Sequence, residues 1–167
     1  MINILETKNL RFSYSDGLPA LQGIDLSVKK GEFLGILGAN GSGKTTLLKI
    51  LNGLLKTANG EIYLDGKNIR STNRDILFRK ICTMFQNPDD QLFASTVSED
   101  IAYGPTNMGL NKEDVHKRID YALDAVDMRE FAKKPINNLS FGEKKRICLA
   151  GVLAMGPDIM LLDEPTS

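Results

Sequence analysis

The sequence predicts an α/β fold: a mostly parallel sheet with flanking helices, an antiparallel β part toward the N-terminus, and a helical insertion. Three observations carry this expectation. Short apolar runs of strand length recur along the chain. A glycine-rich loop joins one of these runs to a helical pattern. About sixty mostly helical residues then precede the last apolar run. The length of 167 residues fits one globular domain, for which roughly 100–200 residues are usual.

In chain order, apolar and polar residues alternate in Ile24-Asp25-Leu26-Ser27-Val28, the pattern of a half-exposed strand. The continuous apolar run Phe33-Leu34-Gly35-Ile36-Leu37 predicts a buried strand. Residues 44–55 have the length of a helix, and further strands are expected at 61–64, 81–85 and 159–162. Val115, Ile119, Ala122, Leu123 and Val126 share one face of a helix over residues 111–126, with Asn111 at its capping position. His116 lies inside this helix and is read as a surface residue without a catalytic role. Farther on, Ser140 and Glu143 form a capping box before the apolar Ile147, Leu149, Val152 and Leu153, which predicts a second helix start.

Charge and composition exclude several functions. Twenty-one basic residues balance twenty-one acidic ones, so no large positive field is available for a nucleic-acid backbone or an anionic membrane. Cys82 and Cys148 lie in apolar stretches without metal-ligand spacing and are read as reduced core residues. The longest near-apolar run, 147–155, is far short of the roughly 18–20 residues that span a bilayer, and no basic-then-apolar leader opens the chain. A cytosolic protein is expected, touching a membrane only through a partner.

The loop Gly38-Ala39-Asn40-Gly41-Ser42-Gly43-Lys44-Thr45 has glycine, four residues, then glycine, lysine and a hydroxyl residue, between a predicted strand and a predicted helix. Glycines let the backbone curl until successive N–H groups point at phosphate oxygens, and the following helix adds the positive end of its dipole. Gly38, Asn40, Gly41, Ser42, Gly43, Lys44, Thr45 and Thr46 are therefore the candidate nucleotide contacts. Lys44 would reach the β- and γ-phosphates, and Thr45 would offer its hydroxyl to Mg2+. The α/β core is thus expected to be a P-loop NTPase core that takes ATP and Mg2+.

Ile159-Met160-Leu161-Leu162-Asp163-Glu164 is an apolar strand ending in two acids, at the carboxyl edge where open α/β sheets bind ligands. Alone, two acids there are equally a solvated turn. Downstream of a phosphate loop they acquire roles: Asp163 holds the magnesium shell, and Glu164 orients or deprotonates the attacking water.

Between these motifs, Leu139-Ser140-Phe141-Gly142-Glu143-Lys144-Lys145-Arg146 resembles the signature of the ATP-binding-cassette (ABC) ATPases, which begins with leucine, serine, two glycines and a polar residue. Phe141 replaces the first glycine, while Ser140 and Gly142 are kept. The resemblance implies that this helix start binds the γ-phosphate of ATP held by a second ABC subunit, in a head-to-tail dimer. It further implies that Tyr14 stacks on adenine, although an isolated tyrosine near a turn is more often a packing residue. Gln86 opens Gln86-Asn87-Pro88-Asp89-Asp90-Gln91-Leu92-Phe93, a segment that reads by itself as a loop. By resemblance, Gln86 senses magnesium and the attacking water and signals to an integral membrane subunit. The implied catalytic set is Glu164, Lys44 and Gln86, and the implied metal set is Thr45, Gln86 and Asp163.

Residues 85–93 and Thr96-Val97-Ser98-Glu99-Asp100-Ile101-Ala102-Tyr103-Gly104-Pro105 are similar to the energy-coupling-factor importers, with the cobalt importer ATPase the first choice and nickel or vitamin importers the alternatives. One ABC domain over 1–167 is implied, with a nucleotide-binding core of 1–86 and 151–167 and a helical subdomain of 87–150. Its place would be the cytoplasmic face of the cell membrane, as a peripheral subunit.

The resemblance runs from about Leu5 to Ser167, and family members continue through an aspartate-ending loop, another strand and a histidine that contacts the γ-phosphate. The chain is accordingly expected to be incomplete at its C-terminus, either a fragment or a truncated product with impaired activity, with an apolar sheet edge left unpaired. The leading function is an ATPase motor subunit of an importer. A soluble ABC ATPase of repair or translation would carry tandem cassettes, an inserted coiled coil or a basic surface, and the sequence has none of these. A module that binds nucleotide without turnover is the remaining alternative.

Overall fold

A computed structural model describes residues 3–56 and 59–165. The chain forms two compact units, Met1–Phe78 and Arg79–Ser167.

The first unit is built on an antiparallel sheet. Strands β1 (Asn3–Ser13) and β2 (Pro19–Lys29) form a hairpin, β3 (Asn59–Leu64) pairs with the other edge of β1, and the short β4 (Lys67–Asn68) pairs with β3. The order is β2-β1-β3-β4. Leu5, Leu10, Ile62 and Leu64 are buried on it. Gly60 is required where β3 crosses β1, since a Cβ there would lie 2.5 Å from the Asn9 carbonyl oxygen. Helix α1 (Lys44–Leu51) buries Thr46, Leu47, Ile50 and Leu51. It is shorter than the expected 44–55 because Gly53 (φ 79°) turns the chain into the left-handed region just after it. Helix α2 (Arg74–Lys80) buries Leu77 and carries the chain from the first unit into the second.

The expected buried strand at 33–37 is a correction. This segment forms no ladder among the described residues, and Phe33 and Leu37 are 96% and 97% exposed. An apolar run signals a preference for burial, but a strand exists only where a neighbour supplies partners for its N–H and C=O groups.

In the second unit, β5 (Ile81–Met84) and β6 (Ile159–Leu162) pair in parallel, from Ile81 opposite Ile159 to Met84 opposite Leu162. Between them run α3 (Val97–Asn107), α4 (Lys112–Ala125) and α5 (Phe141–Met155). These helices close on a core in which Val97, Ile101, Ala122, Leu123, Ile147 and Ala150 are almost fully buried. A smaller cluster of Cys82, Met84, Cys148 and Val152 joins α5 to β5. Both cysteines are buried thiols outside any disulfide, and His116 is exposed.

Local chemistry explains the helix ends. Asn111 caps α4 by accepting the Asp114 N–H at 2.9 Å. Thr96 and Glu99 form a capping box on α3, and Ser140 and Glu143 form one on α5. Gly156 ends α5 at φ 62°, where Arg118 bonds the Ala154 carbonyl at 2.9 Å. Among the described residues no helix is long and apolar enough to cross a membrane.

Candidate functional site

In the first unit, the glycine-rich loop runs directly into α1. Gly41 (φ 80°) and Gly43 (φ 92°) take left-handed values that side chains rarely adopt. Gly43 also lacks room, because a Cβ on it would lie 2.5 Å from the Ala20 carbonyl oxygen, and one on Gly38 would lie 2.7 Å from Ser42 Oγ. The Ser42 N–H donates to the Ala39 carbonyl at 3.2 Å and tightens the turn. Lys44 folds back over the loop, its Nζ donating to the carbonyls of Gly38 (2.9 Å) and Ala39 (3.0 Å). Asn40, Gly41 and Ser42 are exposed and Thr45 is half-buried.

Tyr14 and Thr46 are tied together: their hydroxyls share a hydrogen bond of 2.8 Å. The Tyr14 ring also meets Phe12 edge to face, with centroids 5.1 Å apart, and remains 44% exposed. It therefore packs, as an isolated tyrosine would, while keeping open ring surface.

In the second unit, the parallel pair sets the acids. The Asp163 N–H continues the ladder to the Met84 carbonyl at 3.0 Å, and Asp163 is buried. One residue on, Glu164 adopts φ 48°, and its Oε2 accepts a hydrogen bond from Gln86 Nε2 at 2.8 Å. The structure thus brings Gln86, Asp163 and Glu164 to one edge of this unit. Thr45 belongs to the other unit. A hydroxyl, an amide carbonyl and a carboxylate are all oxygen donors, a chemistry that fits a hard cation such as Mg2+.

At the start of α5, Ser140 Oγ accepts the Glu143 N–H (3.3 Å), and Glu143 Oε2 accepts the Ser140 N–H (2.7 Å). These bonds hold the Glu143 carboxyl below its usual range: first the Ser140 backbone N–H, then its hydroxyl, with Lys134 and Arg146 adding positive charge. A Cβ on Gly142 would meet nothing within 4 Å, so its neighbours in the fold do not require a glycine there.

Sequence reasoning missed two contacts. Lys144 Nζ pairs with Asp89 Oδ1 at 2.6 Å, tying α5 to the segment after Gln86. Buried Lys145 donates to the Glu164 carbonyl at 2.8 Å. The available signal was two lysines near the amino end of a helix, where they oppose its dipole.

Comparison with known proteins places this geometry. The family model described as ABC transporter matches residues 21–167. An energy-coupling factor transporter ATP-binding protein of Methanococcus maripaludis is 52% identical over 166 residues, covering 98% of this chain and 60% of its own length. A putative ABC transporter ATP-binding protein of Geobacter sulfurreducens is 53% identical over 156 residues, covering 93% of this chain and 56% of the relative. The chain thus spans 56–60% of the length of these curated relatives. Among solved structures, cbiO1 from Clostridium perfringens, part of the ABC transporter complex cbiONQ, superposes with a TM-score of 0.87 at 43% identity, covering 99% of this chain and 67% of that one. An ATP-binding cassette in a dimeric post-hydrolysis state bound to ADP and Pi gives 0.85 at 32% identity, covering 97% of this chain and 74% of that one.

Proposed function

The chain belongs to the ABC transporter family and has the P-loop NTPase fold of its solved neighbours; on that premise we propose that it is the ATP-binding, ATP-hydrolysing subunit of an energy-coupling-factor importer. Within this reading, residues 1–86 and 151–167 are the nucleotide-binding core and 87–150 the helical subdomain. The subunit sits at the cytoplasmic face of the cell membrane, working with a second ABC subunit and an integral membrane partner. Cobalt or another metal ion is the favoured cargo, with nickel or a vitamin the alternatives.

The observation that carries this reading is the Lys44 ammonium folded onto the Gly38 and Ala39 carbonyls at the start of α1. A cation held there by weak neutral acceptors is poised to exchange them for the β- and γ-phosphate oxygens of ATP. The loop amides and the amino end of α1 cradle the phosphates, and the open face of Tyr14 receives the adenine ring. Thr45, Gln86 and Asp163 would hold Mg2+, which when bound neutralises charge on the phosphate oxygens. Glu164, aligned by Gln86, orients a water and takes its proton as the water oxygen bonds to the γ-phosphorus. The bond from the γ-phosphorus to the bridging oxygen breaks, its electron pair stays on the β-phosphate of ADP, and ADP and inorganic phosphate are the products. Ser140 and Gly142 serve the ATP of the neighbouring subunit.

Hydrolysis by the intact protein tests the reading. A magnesium-dependent rate that Lys44→Ala or Glu164→Gln abolishes is expected. Nucleotide binding without turnover by the wild type would favour the module that only binds. For the dimer, Ser140→Arg should leave ATP binding intact while blocking closure, and loss of the mutant's own ATP affinity would defeat the head-to-tail assignment.

A further inference from the structure

Lys145 is the one buried basic side chain among the described residues, 6% exposed. Lysine rarely reaches such burial unpaired, and near the amino end of α5 the helix dipole also opposes its charge. Its contacts compensate. Its Nζ donates to the Glu164 carbonyl at 2.8 Å, and it lies 5.3 Å from the centroid of the Phe141 ring, whose face screens the ammonium.

Glu164 meanwhile holds a conformation that its own chemistry disfavours. It is left-handed at φ 48° although it carries a side chain, and it precedes Pro165, which drives the preceding residue toward extended values. Such a backbone persists only where its surroundings over-determine it. The two ends of this residue are pinned separately: Gln86 holds the carboxylate at 2.8 Å and Lys145 holds the carbonyl at 2.8 Å.

We propose that Lys145 is a positioning residue for hydrolysis: its ammonium locks the Glu164 carbonyl, keeps that residue left-handed, and so holds its carboxylate against Gln86 where the attacking water is received. The proposal rests on the reading of Glu164 as the group that orients and deprotonates this water. Phe141, at the position where the signature has glycine, completes the device by covering the ammonium.

The test compares wild type, Lys145→Met, Lys145→Arg and Glu164→Gln in the intact protein, by steady-state ATP hydrolysis and thermal unfolding. Lys145→Met should lower kcat roughly 100-fold, the loss that about 1 Å of misplacement produces, with KM for ATP and the unfolding midpoint close to wild type. Lys145→Arg, which keeps a charged donor, should recover most of the rate. Wild-type kcat in Lys145→Met overturns the proposal. So does a loss that falls on KM and the midpoint as much as on kcat, or one that arginine does not relieve. If Lys145→Met does not fold, Lys145→Gln keeps a neutral donor and is judged by the same split. Wild-type turnover by Glu164→Gln would instead remove the underlying reading of Glu164. An inactive Glu164→Gln beside a fully active Lys145→Met removes the role of Lys145 alone.

Discussion

Gln86 and Glu164 are 78 positions apart in sequence, yet their side chains meet at 2.8 Å. The register of two strands produces the contact. Met84 stands opposite Leu162 in the parallel pair β5–β6, and each partner lies two residues beyond its strand end. Parallel pairing makes the two chains leave the sheet in the same direction, so equal offsets stay together. An amide N–H on one carboxylate oxygen fixes the direction of the group, which suits a side chain that must point at an attacking water.

Glu164→Gln should therefore lower turnover by roughly 10²–10⁴-fold, the usual contribution of a positioned general base, while ATP binding persists. Gln86→Ala should lower it less, because the carboxylate remains but swings free. Stopped-time phosphate release and equilibrium nucleotide binding on the same preparations check both, and equal losses in the two variants would mean that the part of Gln86 in holding Mg2+ weighs as much as the base itself.

What could be read in advance divides by the range of the interaction. The caps on α4 and α5 were legible because Asn111 and the Ser140–Glu143 box act within one turn of their own residues. Strand β1 was not singled out, since Asn9 at φ 45° and register shifts between Thr7, Leu10 and Arg11 break its alternation. The run 33–37 was misread because apolarity reports a wish for burial and says nothing of a pairing partner. In the site, Gln86 and Glu164 were each picked out by motif, but their contact depends on strand register, a long-range property. Lys144 and Lys145 stand side by side in the signature segment, yet burial chooses Lys145 over Lys144, and only packing decides that.

The capping box on α5 gives a pH signature. Glu143 is held below its ordinary value of 4.5 by the Ser140 N–H and hydroxyl, so its charged form is favoured in the folded state. A lowered folded value contributes stability above the unfolded value and loses it as pH falls through the folded one. Wild type should thus exceed Glu143→Gln in unfolding midpoint at pH 7, and the gap should close below about pH 4.5 as the carboxyl protonates. Midpoints measured from pH 7 to pH 3 check this, and a gap that stays constant with pH would remove the charged box as its cause.

Thiol chemistry reports on the small core that joins α5 to β5. Burial pushes the Cys82 thiol up to about 11 and the Cys148 thiol up to about 12. Since the thiolate is the reacting form, both should be inert to a chromogenic disulfide reagent at pH 8 in the folded protein. Both should react within seconds in denaturant. One fast thiol in the native protein would show that this cluster opens readily.

The Tyr14–Thr46 bond allows two roles of one side chain to be separated. Tyr14→Phe removes the hydroxyl shared with Thr46 but keeps the ring and its edge contact with Phe12. Because Thr46 is buried, its own hydroxyl then loses a partner, and a cost of about 0.5–1.5 kcal/mol in unfolding free energy is expected. ATP affinity should hardly change, since stacking uses the π-face. Tyr14→Ala removes the ring as well, and if adenine lies on it the affinity should fall by about 1–3 kcal/mol, the worth of one base on an aromatic side chain. Denaturant unfolding and ATP titration of both variants test the pair of expectations. An affinity loss in Tyr14→Phe as large as that in Tyr14→Ala would assign the effect to the hydroxyl and its hold on α1, and would remove the stacking role.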